Sequence, residues 1–225
     1  MNEIYKNIFY MIQVHYFTFN AFSENTYILA DHTRECVIID PGCFADREKN
    51  SLKKFIKEKD LKVKLLLNTH CHIDHVLGNQ FIKNTYKVPL WIHALEEAPL
   101  RSVQVYAPIY GMPEYEPAEP DHFISEKDAI YFGESSLQVL FVPGHSVGHL
   151  AFYSVEDKFC INGDVLFNGS IGRTDLPGGN YDILMNSIFN TMYALPDDTV
   201  VYCGHGDPTS IGREKKLNPF CAIEV

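Results

Sequence analysis

From Lys62 to His75 the chain reads KVKLLLNTHCHIDH, a short apolar run followed at once by three histidines and an aspartate within six positions. A near-continuous apolar run of this length predicts a strand buried on both faces. The polar donors therefore emerge from the carboxyl end of a rigid element. Alternate side chains of an extended segment share a face, which lets His70 and His72 converge while Cys71 points elsewhere. Buried imidazoles and carboxylates need partners, so the fold must bring further polar groups to this strand end.

Three later segments supply them. His145 in PGHSVGH, Asp164 in INGDVLF and His205 in CGHGD each follow an apolar strand-like run and adjoin glycine, which permits a tight turn around a small target. Five histidines and two aspartates ending successive strands form a donor set suited to zinc, iron or manganese rather than a packing pattern. His149 stands outside the set, with a packing or supporting role. Cys71 and Cys203 read as small buried hydrophobes despite their neighbours. His15, His32, His93 and His122 have no motif around them.

Around this core the pattern predicts three short antiparallel strands between Ile12 and Asp40, a surface helix over residues 46–59 burying Leu52, Phe55 and Ile56, and the strand at 62–68. A helix at NQFIKNTYK, a strand at VPLWIH and a helix from about Ala94 follow. Residues 106–122 are rich in Pro, Tyr and Glu without a period and read as a long, lid-like loop. The second half gives strands near 129–132, 137–142, 149–154 and 158–163, a helix over 181–195 and a strand at 199–203. Sheets covered by helices within one domain are the expected outcome.

Composition narrows the function classes. At 225 residues, 46% hydrophobic and 21% charged, the chain can bury a sizeable core unaided. A net charge of -10 disfavours nucleic acid and anionic lipid as partners. No apolar run reaches the roughly 18 residues of a membrane span. The N-terminal stretch lacks a signal-peptide core and cleavage site, and the six cysteines show no C-x-x-C spacing, so a cytoplasmic protein with free thiols is expected. Residues 1–10, ahead of Met11, read as an N-terminal extension.

Asp40 of IIDPG, Thr69-His70-x-His72-x-Asp74-His75, His145, Asp164 and His205 together resemble the metallo-β-lactamase-fold hydrolases over residues 12 to 213. Ser170-Ile-Gly-Arg-Thr-Asp175 and the stretch from Gly204 to Gly212 are most similar to the small hydroxyacylglutathione hydrolases, the glyoxalase II-like subgroup. The resemblance implies an α/β (α+β) fold, a four-layer αβ/βα sandwich of two mixed sheets flanked by helices. It implies one domain over residues 1–225, without the separate C-terminal substrate domain of the larger enzymes. It also implies two divalent cations, zinc foremost with iron or manganese as alternatives. By position, His70, His72 and His145 would hold the first, Asp74, His75 and His205 the second, and Asp164 would bridge them. Asp40 would support the metal loop by hydrogen bonds or cap the turn before Pro41. A hydroxide between the cations would attack a thioester carbonyl, with Asp74 orienting it.

The expected substrate is a small-molecule thioester such as S-D-lactoylglutathione. Candidate contacts are Tyr110, Arg173, Arg213 and Lys216, with Tyr106, Met112, Tyr115 and Lys215 nearby in sequence. Arg173 and Asp175 also suit a local ion pair. Glu96, Glu97, Glu114, Glu116, Glu119 and Asp121 against Arg101 predict an anionic lid, awkward for an anionic thioester. Alternatives are a different thioester or a neutral ester as substrate, a mononuclear iron persulfide dioxygenase, a phosphodiesterase or RNA-processing nuclease, a true β-lactamase, and a metal-retaining binding module without catalysis.

Overall fold

The computed structural model describes residues 12–223, and the expected extension over residues 1–10 lies outside them. The first sheet opens as the expected meander: β1 (Gln13–Phe19), β2 (Glu24–Ala30) and β3 (Glu35–Ile39) pair antiparallel in sequence order. The amphipathic α1 (Asp46–Glu58) buries Leu52 and Ile56 and returns the chain, so that β4 (Lys62–Leu67) adds parallel to β3. At the start of α1 the Glu48 carboxylate accepts the Phe44 and Ala45 N–H groups at 3.0 and 3.1 Å, satisfying donors that the first turn leaves free.

A one-turn helix α2 (Ile73–Val76) and α3 (Asn79–Tyr86) lead to β5 (Leu90–His93), and α4 (Glu97–Tyr106) leads to β6 (His122–Ile124), each strand parallel to the one before. The second sheet is built from β7 (Ala129–Phe132), β8 (Ser135–Phe141), β9 (Leu150–Ser154) and β10 (Phe159–Ile161), all antiparallel. A separate hairpin, β11 (Leu166–Phe167) and β12 (Ser170–Ile171), precedes α5 (Tyr181–Asn190). This helix returns the chain so that β13 (Val200–Tyr202) lies parallel to β10, and β14 (Thr209–Ser210) and α6 (Ile211–Leu217) follow. Each main sheet has six strands, ordered β1-β2-β3-β4-β5-β6 and β14-β13-β10-β9-β8-β7.

Period-2 alternation explains the layering. Leu29, Val37, Ile39 and Leu67 fill the space between the sheets with Ile130, Leu137, Phe152 and Ile161. Their neighbours Ile28, Cys36, Ile38 and Leu66 face outward onto Leu52, Ile56, Ile82 and Leu100 of the helices. On the other side Ala151, Tyr153, Cys160 and Val201 pack against Leu184 and Ile188 of α5. Helix, sheet, sheet, helix is the four-layer αβ/βα sandwich that the resemblance implies.

Three expectations need correction. Residues 106–122 do not form a free lid: Tyr106 ends α4, Ala107–Tyr110 forms a 3-10 turn, and Met112, Tyr115 and Ala118 are buried in the helix-side core. The last helix of the predicted 181–195 stretch stops at Asn190, with a 3-10 turn at Met192–Ala194. The anionic field over this region is also smaller than expected. Glu119 pairs with Arg101 at 2.9 Å, Asp121 pairs with Lys83 at 2.6 Å, and Glu96 is buried. No helix among the described residues is long and apolar enough to cross a membrane.

Candidate metal centre and cleft

Strand direction gathers the site. β3 and β4 run parallel, so Asp40 and the His70–His75 loop emerge at one edge of the first sheet. In the second sheet β10 and β13 are parallel, and β8 shares their direction because β9 opposes both neighbours, so His145, Asp164 and His205 leave at one edge too. Two close approaches make this edge tight. A Cβ on Gly204 would lie 2.1 Å from Asp164 Oδ1 and 2.8 Å from His75 Cε1. Gly163 takes φ +50°, and a Cβ there would meet Thr69 Oγ1 at 2.5 Å.

His70, His72 and His145 each bring one nitrogen within 4.8 Å of the others, and Asp74, His75 and His205 form a second such group. Asp164 touches both: its Oδ2 lies 3.5 Å from His145 Nε2 and 3.4 Å from His205 Nε2, and its Oδ1 lies 3.6 Å from His75 Nε2. All seven expected ligands thus converge on one point. His70 Nε2, His75 Nε2 and Asp164 Oδ1 are buried without a hydrogen-bond partner. Each orphan of this kind costs about 1–3 kcal/mol, and cations bound by these lone pairs would remove the cost. The donor set therefore fits two divalent ions.

Electrostatics agree. Burial and the neighbouring His75 hold His70 well below the usual imidazole range, and burial and His145 hold His72 down at about 4, leaving neutral rings with free lone pairs. Burial would also lower His205, but the Asp164 and Asp74 carboxylates override it and push it up to about 10. Burial disfavours ionised Asp164, yet His75 and His205 outweigh it and hold the carboxyl well below its usual value. The raised His205 registers a carboxylate field that divalent cations would meet.

A supporting shell fixes the ligands. Asp40, at φ +50°, accepts the Thr69 N–H at 2.7 Å and the Thr69 hydroxyl at 2.6 Å, and its Oδ2 lies 3.1 Å from His75 Nδ1. Its side-chain bonds among the described residues run to the metal loop, none to the turn at Pro41. Asp40, His70 and His75 also group within 4.8 Å, but the Asp40 oxygens are taken by these bonds. His149 stacks on His70 at 4.6 Å and accepts the Asp164 N–H through Nε2 at 3.1 Å, so it supports the site rather than joining it. The Arg173 carbonyl lies 2.8 Å from His145 Nδ1 and orients that ring. Glu96, expected on the anionic lid, is instead buried and accepts the Cys71 N–H, the Ser146 hydroxyl and the Gly148 N–H at 2.8, 2.5 and 2.7 Å. Cys71 and Cys203 are buried, with thiols pushed up by burial, as expected of inert hydrophobes.

His72, Asp74, His145, Asp164 and His205 floor a cleft of about 1220 Å³, with His70 and His75 buried beneath them. Tyr106, Tyr110 and Arg173 line it; Met112 and Tyr115 are in the core instead, and Arg213, Lys215 and Lys216 of α6 are not among its lining residues. Arg213 reaches Asn168 Oδ1 at 3.2 Å behind the cleft wall. Arg173 and Asp175 form the expected ion pair, two-pronged at 2.7 Å per contact.

Comparison with known proteins accords with this geometry. Hydroxyacylglutathione hydrolase GloC of Haemophilus influenzae is 38% identical over 202 residues, covering 89% of this chain and 93% of the relative. The crystal structure of TTHA1623 in a di-iron-bound form superposes with a TM-score of 0.81 at 34% identity, covering 92% of this chain and all of that one. That of BLEG-1 B3 metallo-beta-lactamase gives 0.84 at 33%, covering 92% and 99%. The family model of the metallo-beta-lactamase superfamily matches residues 20–205, and the chain belongs to that superfamily as a metallohydrolase.

Proposed function

We propose that this protein is a binuclear thioesterase of the glyoxalase II type, cleaving S-acyl thioesters of small molecules. The observation that carries the reading is Asp164, whose two oxygens reach both donor groups at the floor of the cleft. His70, His72 and His145 would hold one divalent ion, Asp74, His75 and His205 the other, with Asp164 shared; zinc, iron or manganese all suit such ligands. Two such ions lower the pKa of bound water and polarise an acyl carbonyl, which supplies a nucleophile at neutral pH without a serine.

The chain's own groups do the rest. Asp74 Oδ2 lies 3.1 Å from His205 Nε2 at the cleft floor, where it would accept a hydrogen bond from the attacking water and so orient it. Asp40 and Glu96 keep the donor loops in register so that no reorganisation accompanies the reaction. The apolar cleft walls exclude bulk water around the acyl group. GloC of Haemophilus influenzae, by its name a hydroxyacylglutathione hydrolase, supports the reaction class.

The test is hydrolysis of S-D-lactoylglutathione and simpler thioesters by protein of measured metal content, before and after chelation. Turnover that vanishes on chelation and returns with added zinc, iron or manganese is the expected result. Faster cleavage of a β-lactam, or oxygen uptake with a persulfide and no thioester cleavage, overturns it.

A further inference from the structure

Arg173 is the one lysine or arginine among the described residues that line the cleft, and its guanidinium is already paired with Asp175. Nε donates to Asp175 Oδ1 and Nη2 to Asp175 Oδ2, both at 2.7 Å, a geometry that uses the guanidinium edge a substrate carboxylate would need. Asp175 sits two residues away on the same loop, so an incoming carboxylate competes with a partner of high local concentration. The backbone of Arg173 is held in place at the cleft, its carbonyl 2.8 Å from His145 Nδ1. Beyond the metal-binding carboxylates the cleft adds a further anion, Asp207. Arg213, which is not among the lining residues, bonds Asn168 of the wall and lies 3.5 Å from Glu214.

The remaining walls are apolar. Phe22 and Tyr106 flank Tyr110 with ring centroids 5.9 Å away on either side, and Ile109, Phe167 and Leu176 extend the surface. Ile109 is 83% exposed and Tyr110 53%, so apolar area stands open at the mouth, ready to be covered by a ligand.

Resting on the thioesterase reading, we infer that the cleft selects thioesters whose thiol arm carries no free carboxylate, and that Asp175 sets this selection by neutralising Arg173. The substrate class is an apolar or uncharged thiol ester. Carboxylate-bearing thiol arms lying along the wall, away from the metal-binding floor, meet a paired guanidinium and the Asp207 carboxylate and gain no free cation there.

Two uncleavable ligands test it by calorimetry on the metal-loaded protein: S-hexylglutathione and its diamide, which differ only in the two carboxylates. The diamide is expected to bind about fivefold more tightly or better. Asp175→Asn frees the guanidinium and should narrow that ratio about two- to fivefold through tighter S-hexylglutathione, while Asp175→Asn combined with Arg173→Ala should not narrow it. Tighter S-hexylglutathione in the wild type, or a ratio that Asp175→Asn does not move, overturns the inference. Turnover of S-D-lactoylglutathione and its diamide separates this from the thioesterase reading. Cleavage of both with the free acid preferred removes the selection alone. Cleavage of neither, with the binding ratio as expected, removes the thioesterase reading and leaves the cleft chemistry standing.

Discussion

Glu96 Oε2 accepts the Cys71 backbone N–H at 2.8 Å, tying the loop of His70 and His72 to the start of α4. Its other oxygen takes the Ser146 hydroxyl at 2.5 Å and the Gly148 N–H at 2.7 Å, so one carboxylate spaces both loops that supply the first donor group. Glu96→Gln keeps the shape but turns an NH2 toward a donor. It should cost about 2–3 kcal/mol of stability in urea unfolding of metal-free protein. Metal affinity, read by chelator competition, should fall about tenfold or more. Wild-type values in both would remove Glu96 from the supporting role.

Gly204→Ala should act on Asp164 directly. The added methyl would lie 2.1 Å from Asp164 Oδ1, so either the carboxylate or the His205 loop must move. A loss of at least one metal equivalent, with far-UV circular dichroism unchanged, is expected; full metal content would show that the edge is looser than these distances say.

Glu214 anchors the cleft wall from α6. Buried, it accepts the Thr209 hydroxyl at 2.5 Å, the Gly169 N–H at 3.0 Å and the Asn218 amide at 2.8 Å, and Gly169 is the turn of the β11–β12 hairpin. That hairpin brings Phe167 and Ile171 to the cleft. Glu214→Gln should raise KM about three- to tenfold with a smaller change in kcat, the pattern of lost binding rather than lost chemistry. A fall in kcat alone would contradict it.

Local spacing made the donors readable. His70, His72, Asp74 and His75 sit within six residues, and the alternation of Ile28 with Leu29 or Leu66 with Leu67 marks a strand covered on both faces. Glu96 was not readable, because its partners lie 25 and 50 residues away and its neighbour Glu97 is an ordinary surface acid paired with Arg101. β6, β11, β12 and β14 have too few residues to carry a period and exist through pairing with their neighbours. Residues 106–122 misled for the opposite reason: Met112, Tyr115 and Ala118 dock into the core without any regular spacing. The seven-residue α6 is marked only by its cap, Ser210 Oγ accepting the Arg213 N–H at 3.3 Å.

Asp31 joins the two sheets away from the metal centre. Its oxygens accept the Thr33 N–H at 2.9 Å and, across the sandwich, the Glu134 N–H at 2.7 Å. Burial raises its pKa, but the Thr33 hydroxyl and the two N–H groups outweigh burial, and the net shift is downward. A depressed carboxyl contributes stability that is present above the unfolded value of about 4 and fades as pH falls through the folded one. The Tm gap between wild type and Asp31→Asn should be widest near neutrality and shrink below about pH 4. A gap that grows on acidification would reverse the sign.

The central claim is a two-cation centre shared through Asp164, and elemental analysis of the purified wild-type protein tests it most directly. About two equivalents of zinc, iron or manganese per chain are expected, falling to one or fewer in Asp164→Ala with the fold retained. A wild type that binds at most one equivalent under metal-replete conditions, or an Asp164→Ala variant that keeps two, would contradict the account.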